Sequence, residues 1–158
     1  MNRNSNFTSK KPILYLVATP IGNLKEISSR TLEILKEVDY VFCEDTRVSS
    51  KLTNLCGVKK KFISCHEHNE AMASKEAIRL LKEGYKVAYM SDAGYPCISD
   101  PGSILVHEAI INNIEVIGIP GASASITSLM VSGMDTSSFT LLPGITILTL
   151  TFASIIQK

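Results

Sequence analysis

Short apolar runs alternate with amphipathic stretches along this 158-residue chain, and this rhythm restricts the possible folds more than any other feature. The intervals between the runs show helical periodicity. Strands separated by helices can pair in parallel, because a parallel neighbour needs a long crossover connection. The sequence therefore predicts an α/β fold, a doubly wound five-stranded parallel sheet, with strands at residues 13–18, 40–43, 62–64, 86–90 and 115–119.

The helices are predicted in the intervals between and after these strands. A glycine at position 84 stands where a helix C-cap is expected. Unusual residues cluster in the strand-to-helix connections, whereas the helix-to-strand connections are short and plain, which points to one functional edge of the sheet. The five helices are expected at residues 29–38, from 47 to just before 57, 69–82, 103–112, and from just after 121 to just before 133.

Composition indicates one globular domain, with 45% hydrophobic and 20% charged residues. The net charge of +1 does not by itself demand a nucleic-acid partner, so any RNA contact must come from local patches. The four cysteines form no C-x-x-C pair, and the amino-terminal arm lacks the apolar core of a signal peptide. We therefore expect reduced thiols and a cytoplasmic protein.

The two ends of the chain differ from the middle. Residues 1–12 form a polar, basic segment that predicts a flexible arm, and residues 13–139 carry the α/β pattern. Residues 140–158 form an apolar tail near the length of a membrane span. Pro143 and Gly144 interrupt it, and apolar residues then alternate with threonines, so a strand or hydrophobic tail is favoured over a membrane helix.

The strongest local signal is the run SDAGYPCISDPG at residues 91–102, here named the signature loop, which follows the fourth predicted strand. Its glycines allow close approach of backbone to a ligand, and Pro96 and Pro101 fix the loop shape. Asp92 or Asp100 can accept a hydrogen bond from a hydroxyl or an amine, although Asp100 could instead cap the next helix. Loops at the carboxyl ends of parallel strands are where open α/β sheets bind ligands.

Five ordered stretches together are similar to the ribosomal-RNA ribose methyltransferases, a family within the tetrapyrrole-methylase superfamily. The resemblance runs from about residue 13 to residue 139. It implies a tetrapyrrole-methylase-like N-terminal domain, with the second domain of that family missing here. A truncated or frame-shifted product is an alternative that the sequence leaves open. The stretches are TPIGNL at 19–24, EDTR at 44–47, HEHNE at 66–70, the signature loop, and PGASA at 120–124.

The resemblance implies that the chain binds S-adenosyl-L-methionine and transfers its methyl group to a ribose 2′-hydroxyl of cytidine in small-subunit (16S) ribosomal RNA. It also implies a homodimer. The loop at 19–24 is expected to form one wall of the cleft, although a tight turn would also explain its residues. The residues expected on the cofactor side are Pro20, Gly22, Ser91, Asp92, Ala93, Gly94, Pro96, Ser123, Ala124 and Thr127.

Asp45, Arg47 and His66 are the candidates for catalytic roles on the acceptor side. A carboxylate could accept the hydroxyl proton, and an arginine could hold an RNA phosphate. A local salt bridge with Asp45 or Thr46 as helix N-cap explains the same residues equally well. His66 and His68 do not share a helical face, so a metal site is not expected, and a solvated helix start capped by Asn69 is the simple alternative.

Two other functions stay open on the sequence alone. One keeps the superfamily and replaces the RNA by a tetrapyrrole or another small acceptor, although the stretches at 44–47 and 66–70 match the RNA branch. The other is an inactive fragment that folds but binds neither cofactor nor RNA tightly, because the second domain is absent. The basic run Lys59-Lys60-Lys61 is either a solvated surface or an RNA-backbone contact.

Overall fold

The structure is a computed structural model that describes residues 12–140. The expectations for the arm before residue 12 and for the apolar tail after residue 140 lie outside the described residues. Five strands are present: β1 (Ile13–Val17), β2 (Tyr40–Cys43), β3 (Lys61–Ser64), β4 (Val87–Met90) and β5 (Glu115–Ile119). The helices are α1 (Ser29–Glu37), α2 (Thr46–Leu55), α3 (Glu70–Lys82), α4 (Ser103–Ile111) and α5 (Ala124–Val131).

The strands form one parallel sheet in the order β3-β2-β4-β1-β5. This confirms the predicted five-stranded parallel α/β fold, and the order differs from the usual dinucleotide-binding order in the placing of β1 and β4. A short 3₁₀ turn, Leu24–Glu26, was not predicted from the sequence. Asn23 begins it by accepting a hydrogen bond from the Lys25 amide, a local turn motif with no apolar periodicity.

Both faces of the sheet are covered by helices. On one face, α3 and α4 pack over Leu14, Phe42 and Tyr89, and on the other, α1 and α2 pack over strand residues such as Tyr15 and Val41. The central strand β4 is buried along its whole length, which explains why its sequence is apolar without alternation. The sheet is therefore doubly wound, and its carboxyl edge is left to the loops.

Capping residues set several helix ends where the sequence predicted them. The Ser28 hydroxyl accepts a hydrogen bond from the Thr31 amide at the start of α1. Asp45 does the same for the Arg47 amide at the start of α2, at 2.8 Å. Gly84 follows α3 with φ of +94°, as expected for a residue just past a helix C-cap.

The β5 edge of the domain is less well packed than the rest. Strand β5 lies at the end of the sheet, and α5, which is described in full, buries only Leu129. Met130 and Val131 are 73% and 74% exposed although α5 is strongly apolar. An apolar helix with so little burial marks a surface that another chain segment or partner is expected to cover.

None of the helices in residues 12–140 is both long enough and apolar enough to cross a lipid bilayer.

Candidate functional site

Three loops meet at the carboxyl edge of the sheet because β4, β1 and β5 are neighbours there. The loop after β1 and the signature loop are joined by a two-way backbone bridge. The Thr19 amide donates to the Gly94 carbonyl at 2.9 Å, and the Gly94 amide donates to the Thr19 carbonyl at 3.1 Å. The Thr19 hydroxyl also donates to the Ser91 carbonyl at 3.2 Å. These bonds fix two of the three loops to each other.

Tyr95 joins the signature loop to the third loop, which follows β5. Its hydroxyl donates to the Gly121 carbonyl at 3.2 Å and accepts from the Gly121 amide at 3.1 Å. A side chain at position 121 would meet the Cβ of Ala18 at 2.9 Å, so only glycine allows this close approach to β1. The third loop is thereby held beside the first two.

The three loops enclose an open cleft of about 680 Å³. Ile21 from the first loop, residues 93–95 and 98–100 of the signature loop, and residues 121–127 at the start of α5 line it. The lining is mostly apolar or small, with hydroxyls from serines and threonine at one side and the Asp100 carboxylate at another. A volume in this range suits an organic ligand larger than a simple metabolite, with an apolar ring and a few polar groups.

The structure brings only part of the predicted cofactor set into this cleft. Ala93, Gly94, Ser123, Ala124 and Thr127 line it. The Ser123 hydroxyl also caps α5 by accepting from the Ile126 amide at 3.4 Å. Five of the ten predicted residues therefore share one surface.

The other five predicted cofactor residues do not line the cleft. Ser91 is buried, and its hydroxyl donates to the Gly94 carbonyl at 2.9 Å, so it shapes the loop from inside. Pro96 is buried as well. Pro20 and Gly22 flank Ile21, which is the residue of the first loop that reaches the cleft. Asp92 turns toward β2, where it accepts from the Asp45 amide at 3.3 Å.

The signature loop has an unusual backbone. Cys97 and Ser99 have φ values of 67° and 61°, in the left-handed region that residues with side chains seldom adopt. Gly102 ends the loop with φ of +120° and lies against the ring of Tyr89, where an added Cβ would be 2.4 Å from Cε1. Such conformations persist only where surrounding contacts impose them, and they concentrate at functional sites.

Glu70 and Tyr89 supply those contacts. The Glu70 Oε1 atom accepts from the Gly102 amide at 2.9 Å and from the Ile104 amide at 2.7 Å. The Tyr89 hydroxyl donates to the Pro101 carbonyl at 2.7 Å. The alternative that Asp100 caps α4 is wrong, because Gly102 occupies the N-cap and the carboxylate there belongs to Glu70, whose longer side chain reaches across from α3.

The acceptor-side candidates lie beside the cleft, at the carboxyl ends of β2 and β3. Asp45 and Arg47 form an ion pair with Oδ2 and Nη2 2.6 Å apart, and the Arg47 side chain is 89% exposed. This pair and the N-cap lower the pKa of Asp45 to about 2, chiefly through the hydrogen bonds from Arg47. The simple interpretation of these two residues is thus confirmed as far as the contacts go.

Carboxylates gather at this end of the sheet, and we name Glu44, Asp92 and Asp100 the acidic edge. Partial burial, followed by the charges of Asp92 and Asp100, raises the pKa of Glu44 above its ordinary value. Burial and then Asp92 raise the pKa of Asp100. Like charges that share one region favour the protonated form of their neighbours, so Glu44 is a better proton acceptor than Asp45.

His66 is half-buried after β3, near enough to Glu44 to lower the pKa of that carboxyl slightly. Asn69 does not cap α3 with its side chain, contrary to expectation. Its Oδ1 instead accepts from the His66 amide at 2.8 Å, and its Nδ2 donates to the Ser64 carbonyl at 3.1 Å, so it ties the turn together. Among residues 12–140 no group of three or more histidine, cysteine or acidic side chains is arranged to hold a metal ion.

The basic run at 59–61 lies at the opposite edge of the sheet. Lys60 Nζ donates to the carbonyls of Lys36 and Val38 at the end of α1, and Lys61 lies over the Tyr40 ring at 5.4 Å. Cations at a helix C-terminus stabilise the last carbonyls, which accounts for part of this run without a nucleic acid.

The model of the tetrapyrrole (corrin/porphyrin) methylases matches residues 13–146 of this chain. The chain belongs to the tetrapyrrole methylase family. It is 50% identical over 129 residues to a protein of Halalkalibacterium halodurans named ribosomal RNA small subunit methyltransferase I, covering 82% of this chain and 45% of that protein. A protein of the same name from Mesorhizobium japonicum is 49% identical over 129 residues, with 82% and 44% covered.

The fold agrees with solved members of the family. The crystal structure of uroporphyrin-III-C-methyltransferase from Thermus thermophilus aligns with a TM-score of 0.58 at 19% identity, covering 81% of this chain and 55% of that one. At this identity the likeness shows the fold alone. The chain spans about half the length of the curated relatives it matches, and the carboxyl half of those relatives has no counterpart in it.

Proposed function

We propose that this chain is the amino-terminal, cofactor-binding part of an enzyme that methylates a ribose 2′-hydroxyl in small-subunit ribosomal RNA with S-adenosyl-L-methionine. The observation that carries the proposal is that the signature loop, intact and fixed in shape, lines a 680 Å³ cleft in a chain half identical to proteins named for this activity. Cytidine as the modified nucleoside follows from the family resemblance. A cytoplasmic location and a homodimer belong to the same proposal.

The cleft fits such a cofactor in both size and surface. Ile21, Ile98 and Ile126 offer apolar surface for an adenine ring, and the small residues at 121, 122 and 124 leave room beside the start of α5. Ser123 and Thr127 place hydroxyls where ribose or amino-acid groups could bond. S-adenosyl-L-methionine supplies an electrophilic methyl group on a sulfonium that leaves as a neutral thioether.

The protein then needs mainly to align the acceptor oxygen with the methyl carbon and to accept one proton. The acidic edge borders the cleft, and Glu44 combines a raised pKa with a position beside His66. We assign proton acceptance to Glu44 or to the predicted His66. Asp45 holds Arg47 in place, so the exposed guanidinium is presented to an RNA phosphate.

The test is a calorimetric titration of the purified chain with S-adenosyl-L-methionine. We expect affinity of about micromolar order, weakened at least about tenfold by Ala93→Leu, which adds bulk to an exposed residue of the cleft lining. Ala71→Leu is the matched control, because Ala71 is also exposed and does not line the cleft. Equal binding by both variants would contradict the placing of the site.

A folded chain that binds no S-adenosyl-L-methionine would favour the inactive-fragment alternative, in which the missing half is needed to close the cleft. One observation supports that alternative, namely the exposed apolar surface of α5 beside the cleft. The acceptor is tested with labelled cofactor and small ribosomal subunits. A methyl group on a ribose 2′ oxygen makes the adjacent phosphodiester resistant to alkali, and labelling of a tetrapyrrole instead would refute the RNA assignment.

A further inference from the structure

The HEHNE stretch at 66–70 ends in a residue whose position differs from that of its neighbours. Glu67 and His68 are exposed, whereas Glu70 is only 7% exposed and turns inward. Glu70 belongs to the first turn of α3, and its carboxylate reaches the first turn of α4. One buried carboxylate therefore lies at the positive ends of two helices, which stabilises its charge without a basic side chain.

The two bonds that Glu70 accepts hold the last part of the signature loop. The Gly102 and Ile104 amides that donate to it, at 2.9 and 2.7 Å, are free amides of a helix start that need an acceptor. Gly102 has φ of +120°, and the residues at 97 and 99 have left-handed backbones that need support from outside the loop. No residue of the signature loop itself supplies this cap within the described structure.

We propose that Glu70 is a positioning residue that fixes the conformation of the signature loop, and hence of its cleft-facing residues 93–95 and 98–100, through the amides of Gly102 and Ile104. Tyr89 acts with it by holding the Pro101 carbonyl from the sheet side. The inference deepens the proposed function, on which the identity of the ligand rests. It gives the last residue of the 66–70 stretch a role toward the cofactor loop, whereas the sequence suggested an acceptor-side role for that stretch.

The decisive experiment is amide hydrogen exchange, followed by mass spectrometry, on ligand-free variants of the full chain. Glu70→Ala removes both bonds and should speed exchange in residues 93–104 by about tenfold or more, while strands β1 and β4 keep their protection. Glu70→Gln keeps an acceptor oxygen and should restore most of the protection. Glu67→Ala is the matched control and should change nothing there, because Glu67 is an exposed glutamate of the same stretch.

Unchanged exchange in the loop of Glu70→Ala would overturn the inference, and so would a rise spread evenly over the whole domain. If Glu70→Ala does not fold, Glu70→Gln decides, since a local rise in residues 93–104 supports the inference and wild-type exchange in that segment refutes it. Titration with S-adenosyl-L-methionine then separates the two proposals. Failure of the wild type to bind refutes the proposed function alone, whereas wild-type affinity in Glu70→Ala refutes the positioning role.

Discussion

The two walls of the cleft are built very differently. The signature loop is attached to the sheet through Thr19 and Tyr89 and to α3 through Glu70. The opposite wall, residues 120–131, is attached mainly through Tyr95 and Gly121, and its helix leaves most of its apolar side chains exposed. The domain thus contains the means to preform one wall, and it leaves the other to be covered by something outside residues 12–140. Preformed groups lose less entropy when a ligand binds, so the first wall should contribute most of the affinity.

The largest effect should come from Gly102→Ala, which attacks the preformed wall. The new Cβ would meet Tyr89 Cε1 at 2.4 Å and Cys97 Sγ at 2.8 Å, and the positive φ adds strain. We expect a loss of about 3 kcal/mol or more in unfolding free energy. Gly133→Ala is the control in the other region, because its φ of +71° adds strain but no atom lies within 4 Å. Urea unfolding that shows equal losses would contradict the comparison.

Tyr89→Phe is the milder change at the same wall. It removes the hydroxyl that donates to the Pro101 carbonyl and leaves that carbonyl without this partner, which should cost about 1–2 kcal/mol. Burial raises the pKa of this phenol well above its usual range, so the hydroxyl stays a donor at every pH at which the domain is studied. Thermal unfolding measures the loss. The exposed Tyr85, changed to Phe, should show less than half of it.

Tyr95→Phe cuts the link between the walls. Both hydrogen bonds to Gly121 are half-exposed, so the unfolding free energy should fall by only about 0.5–1 kcal/mol. Affinity for S-adenosyl-L-methionine should fall by more than this loss of stability suggests, because residues 121–127 would no longer be held at the right distance. Calorimetry beside urea unfolding compares the two. A stability loss with unchanged affinity would mean that the second wall needs no attachment.

The smallest effect concerns the ion pair outside both walls. The pKa of Asp45 is lowered from 3.8 to about 2, so its contribution to stability is present above pH 3.8 and is lost as the pH falls through about 2. Asp45→Asn should therefore flatten the pH dependence of the thermal midpoint between those values. The pair is exposed, so 1 M salt should reduce the difference. A difference that grew with pH above 5 would show that another group is responsible.

The fold was largely predictable because its signals are local. Residues 40–43 and 115–119 were assigned to strands with the bounds that the structure gives, since apolar runs bounded by turn residues leave little choice. Capping by Ser28 and Asp45 also follows from short-range chemistry. The site was less predictable. Glu70 acts on residues more than thirty positions away, and no spacing rule in the sequence reports that contact.

The divided outcome for the cofactor residues has the same cause. In the signature loop, composition identified the right segment, but the left-handed backbones at 97 and 99 decide which side chains face the cleft. Ala93 and Gly94 turn outward, while Ser91 and Pro96 turn inward and Asp92 toward β2. Tyr95 was overlooked because an aromatic residue in a loop has no single meaning. Its partner, Gly121, becomes adjacent only through the strand order.

The most direct test of the account is amide hydrogen exchange of the ligand-free wild-type chain, compared between residues 91–104 and residues 120–131. The account predicts that the first segment is protected nearly as well as strand β4, and that the second exchanges at least about tenfold faster. Equal and rapid exchange in both segments would contradict the claim that the domain preforms the signature-loop wall.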